Sequence, residues 1–393
     1  MTSRVCLLSR SCLADDPRVR KHGDALASAG HEVVGVGYSG ARAPGPAWPV
    51  VQIDPPDMST WRRARRALPF LVARTGPAAA VRSWWKSTEN LRWWAAVRDV
   101  RADLYLAYDW PVLPLASRLA SVHGGRYAYD SREYGVAEYA FQWRWRLLYP
   151  PYVHGIEQEL VPAAAAVLTV SDGIAGLLRR DLGLDRTPTV VRNVPPFQAV
   201  PPADATRPPG DPLRLLYHGL ITPGRGLEAL LDSVAAWAPG RVLALRGYGP
   251  EAFLADLRAR AERGGATDRV TFLPPVMTDA LVGAAAAHDI GISAFPDLTD
   301  HLRYALPNKL FEYVMAGLGV LATDLPDMAA LIGRYRLGTL AADASAASLA
   351  AAVNGLDPGA VAGYRAAARA AAPQLCWERE SQVMLAALEP ALG

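Results

Sequence analysis

The stretch Leu306-Pro307-Asn308-Lys309-Leu310-Phe311-Glu312-Tyr313, continued by Met315-Ala316-Gly317 and Val320-Leu321-Ala322-Thr323-Asp324, reads as a loop, a short helix, a glycine stop and a buried strand. Asn308 is the expected N-cap and Gly317 the left-handed terminator, while Leu310, Val314 and the aromatics form an apolar stripe. The start of such a helix presents unpaired N–H groups and a positive dipole end, which suit a phosphate. Lys309 adds a mobile cation beside those amides, and Glu312, about one turn further in, offers a carboxylate to sugar hydroxyls. A solvated surface helix carries the same residue types, so this stretch is weighed with the rest of the chain.

The chain has 393 residues, half of them hydrophobic, and its net charge is +3. That length predicts two domains of about 200 residues each. Cys6, Cys12 and Cys376 have no metal-ligand spacing and leave an odd thiol under any pairing, which favours a reducing setting. Residues 1–10 hold no long apolar run before a small-residue cleavage site, so no signal peptide is expected. No uninterrupted apolar run approaches the length needed to span a bilayer. The expected location is the cytoplasm.

In the first half, Arg4 to Ser9 reads as a buried strand, Asp15-Asp16-Pro17 announces a helix, and Glu32 to Gly37 is the next strand. Strand, helix and strand in this space make a βαβ unit and require a parallel sheet. The first turn lacks the dinucleotide fingerprint, which argues against an NAD(P) enzyme. Further strands are predicted at 103–108, 126–130, 166–170 and 189–193, and Ser171 is placed to cap a helix. Asp130-Ser131-Arg132-Glu133 lies at a strand's carboxyl end, where open α/β sheets bind ligands.

Residues 59–101 differ in kind. Arg62, Arg63, Arg65, Arg66, Arg74, Arg82, Lys86, Arg92, Arg98 and Arg101 are opposed only by Glu89 and Asp99, and Trp61, Trp84, Trp85, Trp93 and Trp94 are interleaved with them. A basic helix with a tryptophan face suits a membrane interface; the other reading is a helix packed on its own domain with arginines in water. Phe141-Gln142-Trp143-Arg144-Trp145-Arg146 is a second such segment. The low net charge and the lack of a recognised motif speak against nucleic acid.

Residues 198–212 form a Pro/Ala/Asp/Gly linker. Six strands follow, at 213–218, 242–246, 269–273, 290–295, 320–323 and 339–341, with helical patterns between them. The first turn runs from Tyr217-His218-Gly219 to Gly224-Arg225-Gly226; its glycines permit close backbone approach, and Arg225 is placed to reach a diphosphate. Gly247-Tyr248-Gly249 is a similar turn. A last helix begins at Trp377.

In this order the motifs resemble those of a family 4 glycosyltransferase of the GT-B fold, retaining type. The resemblance rests on Asp16-Pro17-Arg18-Val19 through Gly30-His31-Glu32-Val33, on Val167 to Ser171 with Val191 to Pro195, on Tyr217 to Leu227, and on Leu306 to Gly317. It implies an α/β architecture of two Rossmann-like, doubly wound domains facing each other across a cleft. Residues 1–197 would bind the acceptor, 213–375 the nucleotide-sugar donor, and a helix within 376–393 would return to the first domain. It further implies that Glu312 holds the ribose, that Arg225 and Lys309 hold the diphosphate, and that Gly219, Gly224, Gly247, Gly249, Tyr304, Pro307 and Asn308 line the donor. Asp16, Arg18, Asp130, Arg132 and Glu133 are the acceptor-side candidates. No metal or other cofactor is implied; the nucleotide sugar (UDP, GDP or dTDP) is a co-substrate. The acceptor is either a lipid-linked glycan, with the chain peripheral on the inner membrane face, or a soluble small molecule.

Three positions depart from the family pattern. Tyr304 stands where many members carry a second glutamate, Leu220 where many have a basic residue, and Arg132 where some have histidine. Two rival readings are a GT-B nucleotide-sugar epimerase and a non-catalytic sugar-nucleotide-binding partner of another transferase. The Trp/Arg-rich insert speaks against the first, and the missing glutamate favours the second.

Overall fold

A computed structural model describes residues 2–56, 68–200 and 211–392. Trp61, Arg62, Arg63, Arg65 and Arg66 of the basic insert lie outside the described residues, as does most of the 198–212 linker. The chain divides into two compact units, one of Met1–Arg192 with Ser381–Gly393 and one of Asn193–Glu380.

The first unit is built on strands β1 (Arg4–Leu8), β2 (Glu32–Tyr38), β3 (Val50–Ile53), β4 (Leu104–Tyr108), β5 (Arg126–Ser131), β6 (Ala166–Thr169) and β7 (Thr189–Val190). They lie in the order β3-β2-β1-β4-β5-β6-β7, and every pairing is parallel. All five residues of β4 are buried, as expected for a strand covered on both faces. Strand order reverses between β1 and β4, and the carboxyl ends there form the crevice in which such sheets take ligands. Strand β3 was not expected; Val50-Val51-Gln52-Ile53 is too short to stand out behind a proline-rich loop. Asp16 caps the helix Pro17–Ser28 through the Val19 amide, and Ser171 caps Asp172–Leu182 through the Ile174 amide, both as the sequence predicts.

Two tryptophans of the insert follow the packed reading. Trp84 and Trp93 are 1% and 0% exposed, so they form part of the core. Trp84 donates its indole N–H to the Pro111 carbonyl (3.2 Å), and Trp93 donates to Glu89 Oε1 (3.1 Å). The Arg10 guanidinium lies 5.9 Å from one ring centroid and 5.5 Å from the other, and it also bonds Asn90. An indole whose N–H already has a protein acceptor gains nothing by facing headgroups. The second aromatic segment behaves differently: on the helix Trp143–Leu160, Trp143 is 63% exposed and Arg144 and Arg146 are exposed beside it.

The second unit contains β8 (Leu213–His218), β9 (Arg241–Arg246), β10 (Val270–Leu273), β11 (Ile290–Ser293), β12 (Gly319–Thr323) and β13 (Gly338–Ala341). Their order is β10-β9-β8-β11-β12-β13, again all parallel. The reversal falls between β8 and β11, which places the turn after β8 in the ligand-bearing crevice of this sheet. Phe311, Tyr313 and Val314, on the helix Asn308–Met315, are fully buried in one core cluster of this unit. Pro307, at φ −70° and ψ 142°, takes the cap position, so Asn308 is the first helical residue, not the N-cap. Proline already holds the extended geometry a cap needs, and it leaves the first-turn amides without a capping side chain. The last helix, Trp377–Leu392, belongs to the first unit from Ser381 onward, where the Leu392 carbonyl accepts from Ser3 Oγ at 2.8 Å.

Candidate functional site

In the second unit the site is assembled at the carboxyl end of β8. The turn beyond it crosses the turn after β9 with very little separation: Gly219 N donates to Arg246 O (3.0 Å), and Ile221 N to Tyr248 O (2.9 Å). A Cβ on Gly247 would stand 1.8 Å from the Gly219 carbonyl oxygen, so only glycine permits the crossing. The chain then turns back through Gly224 and Gly226 and presents Arg225, whose guanidinium lies 5.1 Å from the Phe295 ring.

Lys309 reaches the same place from its helix start. Its Nζ lies 3.6 Å from the Tyr217 ring centroid and 5.7 Å from that of Phe295. It is buried rather than mobile, 7% exposed, because the aromatic faces sequester its stem and head together. Burial pushes the ammonium's pKa well below the usual lysine range; the Arg225 charge adds to this and the Glu312 carboxylate opposes it. Among the described residues neither Arg225 nor Lys309 has a carboxylate at ion-pair distance. Arg225 and Lys309 thus converge on an apolar floor with no fixed counter-ion among the described residues.

Glu312 lies next on the helix, with its side chain 16% exposed and Oε2 2.8 Å from His218 Nε2. His218 is fully buried and stacks on Tyr313 at 4.6 Å. Pro307 is half-buried and Asn308 exposed at the helix start, while Tyr304 is half-buried at the end of the short helix Asp300–Arg303. His301, on that short helix, has its pKa pushed down to about 4 by burial, with the Arg225 charge adding to the effect.

The acceptor-side candidates belong to the first unit and fall into two groups. Arg18 and Asp130 are 2% and 0% exposed and form a bidentate pair, with both bonds at 2.8 Å. Arg18 also donates to the Val191 carbonyl (2.7 Å). Their polar atoms are engaged inside the protein, where they hold β5 to the helix Pro17–Ser28. Arg132 is different. It is 25% exposed and clamped between Asp16 (NH1 to Oδ2, 2.6 Å) and Asp109 (Nε to Oδ2, 2.7 Å). Asp109 holds φ at +63°, a region unfavourable for any residue but glycine, and its Oδ1 accepts from the Arg132 amide (3.0 Å). Glu133 is half-buried in the following turn, where its carbonyl accepts from Ser131 Oγ. A hollow of about 520 Å³ lined by Ser117, Arg126 and Tyr127 lies at the amino end of β5, away from these groups. Among the described residues no three His, Cys, Asp or Glu side chains gather as a metal site, and no helix is long and apolar enough to cross a membrane.

Sequence reading passed over three site residues. Asp109 follows β4 directly and precedes Trp110-Pro111, a polar residue at a strand's carboxyl end that the same rule used for Asp130 would have found. His218 sits inside the Tyr217-His218-Gly219 motif, of which only the glycine was used. The third, Tyr217, looked like strand core, and nothing in one dimension shows a lysine above its ring.

Two family models match the chain: one described as a glycosyl transferase 4-like domain, over residues 16–195, and one described as glycosyl transferases group 1, over residues 212–356. No curated protein sequence matches. Among solved structures, sucrose-phosphate synthase from Thermosynechococcus elongatus has a TM-score of 0.75 at 17% identity, with 97% of each chain covered. The Anabaena protein HepE in complex with UDP and glucose has a TM-score of 0.68 at 14% identity, covering 98% of this chain and 99% of that one. WaaG, a glycosyltransferase involved in lipopolysaccharide biosynthesis, has a TM-score of 0.64 at 15% identity, covering 99% of this chain and 100% of that one. At such identities the structures speak for the fold, and the two models, which account for most of the chain, speak for the family: this chain belongs to the GT-B glycosyltransferases with a 4-like first domain and a group 1 second domain.

Proposed function

We propose that the chain transfers a sugar from a nucleotide-sugar donor to an acceptor hydroxyl, with retention at the anomeric carbon and without a metal. The observation that carries this reading is the convergence of Arg225 and Lys309 above Tyr217 and Phe295, without a carboxylate partner and next to Glu312. When the anomeric C–O bond breaks, negative charge builds on the departing diphosphate, and fixed cations in an apolar setting stabilise that charge most. Lys309, disfavoured as a cation by its burial, recovers its charge beside the diphosphate. Glu312 takes the ribose hydroxyls, and the first-turn amides of Asn308–Met315 supply further donors. The UDP named in the HepE structure makes UDP the first nucleotide to test here.

On the acceptor side, part-exposed Arg132, held by Asp16 and Asp109, is the group available to a substrate. We place the protein in the cytoplasm, peripheral on the inner membrane face, with a lipid-linked acceptor. Support comes from the exposed Phe141, Trp143 and Leu147 alongside Arg144 and Arg146, apolar and basic groups that together match an anionic leaflet. The decisive experiment is turnover of labelled UDP-sugars with and without a membrane lipid extract. Lipid-dependent transfer supports the reading. Donor isomerisation or hydrolysis unaffected by lipid favours an epimerase, and tight donor binding with no turnover favours a non-catalytic partner.

A further inference from the structure

Glu312 does not stand alone. Its Oε2 lies 2.8 Å from Nε2 of His218, the last residue of β8, which is 0% exposed. Two unprotonated acceptor atoms would repel at that distance, so Nε2 carries a proton. His218 Nδ1 is buried with no partner among the described residues. With no acceptor near Nδ1, Nε2 is the ring nitrogen that can serve Glu312 as a donor. The contact is close but not a well-aligned hydrogen bond, the kind of contact that ligand binding tightens.

The ring itself is fixed by a second layer. His218 N donates to Tyr313 Oη (3.0 Å), Tyr313 Oη donates to the Ile292 carbonyl (3.2 Å), and the two rings stack at 4.6 Å. Gly291 makes room for this, since a Cβ there would stand 2.1 Å from the Tyr313 ring. β8, β11 and the helix Asn308–Met315 therefore converge on one imidazole, whose outward face meets the carboxylate.

We propose that His218 is a positioning residue for the donor nucleotide: its Nε2–H engages one oxygen of Glu312 and presents the other to the ribose. This rests on the reading that Glu312 binds ribose. It explains why a fully buried histidine ends a strand whose other buried residues, Leu215, Leu216 and Tyr217, are aliphatic and aromatic core.

The test is calorimetric titration of the purified full chain with UDP, and with inorganic pyrophosphate as a ribose-free probe. His218→Val is expected to weaken UDP binding about 10- to 100-fold, the loss typical of one charge-assisted hydrogen bond, and to leave pyrophosphate binding unchanged. His218→Gln, which can place an N–H near the same point, is expected to stay within about threefold of wild type. In a Glu312→Ala background, His218→Val is expected to add no further loss, because the two act as one unit. Wild-type UDP affinity in His218→Val, a fully additive double variant, or an equal loss of pyrophosphate binding overturns the proposal while leaving Glu312 in place. Unchanged UDP binding in Glu312→Ala overturns the ribose assignment, and this inference with it. Should His218→Val not fold, His218→Asn, too short to reach Glu312, takes its place with the same expected loss.

Discussion

Lys309 Nζ rests 3.6 Å from the centroid of the Tyr217 ring, an ammonium held by an aromatic face with no carboxylate at ion-pair distance among the described residues. A buried cation without a counter-ion costs stability, and a diphosphate removes that cost. Because burial, with Arg225 nearby, depresses the pKa of Lys309, its ammonium loses its proton at a lower pH than an ordinary lysine. An arriving polyanion reverses the shift. UDP binding at alkaline pH is therefore expected to take up protons, read as a dependence of the calorimetric heat on buffer ionisation enthalpy. Lys309→Ala is expected to abolish the uptake. Uptake of the same size in that variant sinks the assignment.

Arg225→Ala and Lys309→Ala are each expected to lower kcat about a hundredfold or more and to raise the donor KM much less, since the charge they meet grows in the transition state. Steady-state kinetics with the best UDP-sugar decides this. A loss confined to KM would mean that these cations only bind the ground state. EDTA is expected to leave the wild-type rate unchanged.

Glu157 makes the pH dependence of stability readable. It is 1% exposed, its Oε1 accepts from Tyr129 Oη at 2.6 Å, and burial pushes its pKa up to about 7. The unfolded chain gives up this proton first, so the contribution of Glu157 to stability falls as pH rises from about 4.5 to 7 and levels off above. Glu157→Gln removes the charge and keeps the shape. It is expected to stabilise the protein at pH 8, by up to about 3 kcal/mol, and to make little difference near pH 4.5. An equal shift in Tm at both pH values would contradict the raised pKa.

Arg18 and Asp130 separate structure from function on the acceptor side. Arg18→Ala strands a buried carboxylate and is expected to cost about 3–5 kcal/mol in denaturant unfolding. Arg132→Ala, at a part-exposed position, is expected to cost less stability and to raise the acceptor KM instead. Reversal of that ranking would mean that Arg132 is the structural member.

The parallel strands were legible because each is a short apolar run between turn signals, and the order of the turns named the ligand end of each sheet. Lys309, Glu312 and Arg225 were legible because they flank glycines and a helix start. What lies under them was not. That Tyr217 carries the ammonium, or that His218 meets Glu312, depends on a helix and a strand separated by some ninety residues of sequence meeting at one point. The tryptophans show the opposite failure. Alternation with arginine is the same pattern whether the indoles face lipid or, as Trp84 and Trp93 do, enclose the cation of Arg10.

That difference relocates the membrane experiment. Trp93→Ala empties a fully buried indole site and is expected to cost about 3–5 kcal/mol, lowering every activity together. Phe141, Trp143 and Leu147 are 56%, 63% and 54% exposed, so replacing them with Ser is expected to leave Tm nearly unchanged. Arg144, its guanidinium 5.3 Å from the Trp143 ring, and Arg146 each add up to about 1 kcal/mol beside an anionic leaflet, within a Debye length of roughly 8–10 Å. Wild-type protein is expected to co-sediment with liposomes containing anionic lipid at low salt and to be released at high salt. The triple serine variant and Arg144→Ala/Arg146→Ala are each expected to stay largely in the supernatant while remaining folded. If the wild type itself stays in the supernatant at low salt, the patch does not bind membrane, and the acceptor is to be sought among soluble molecules.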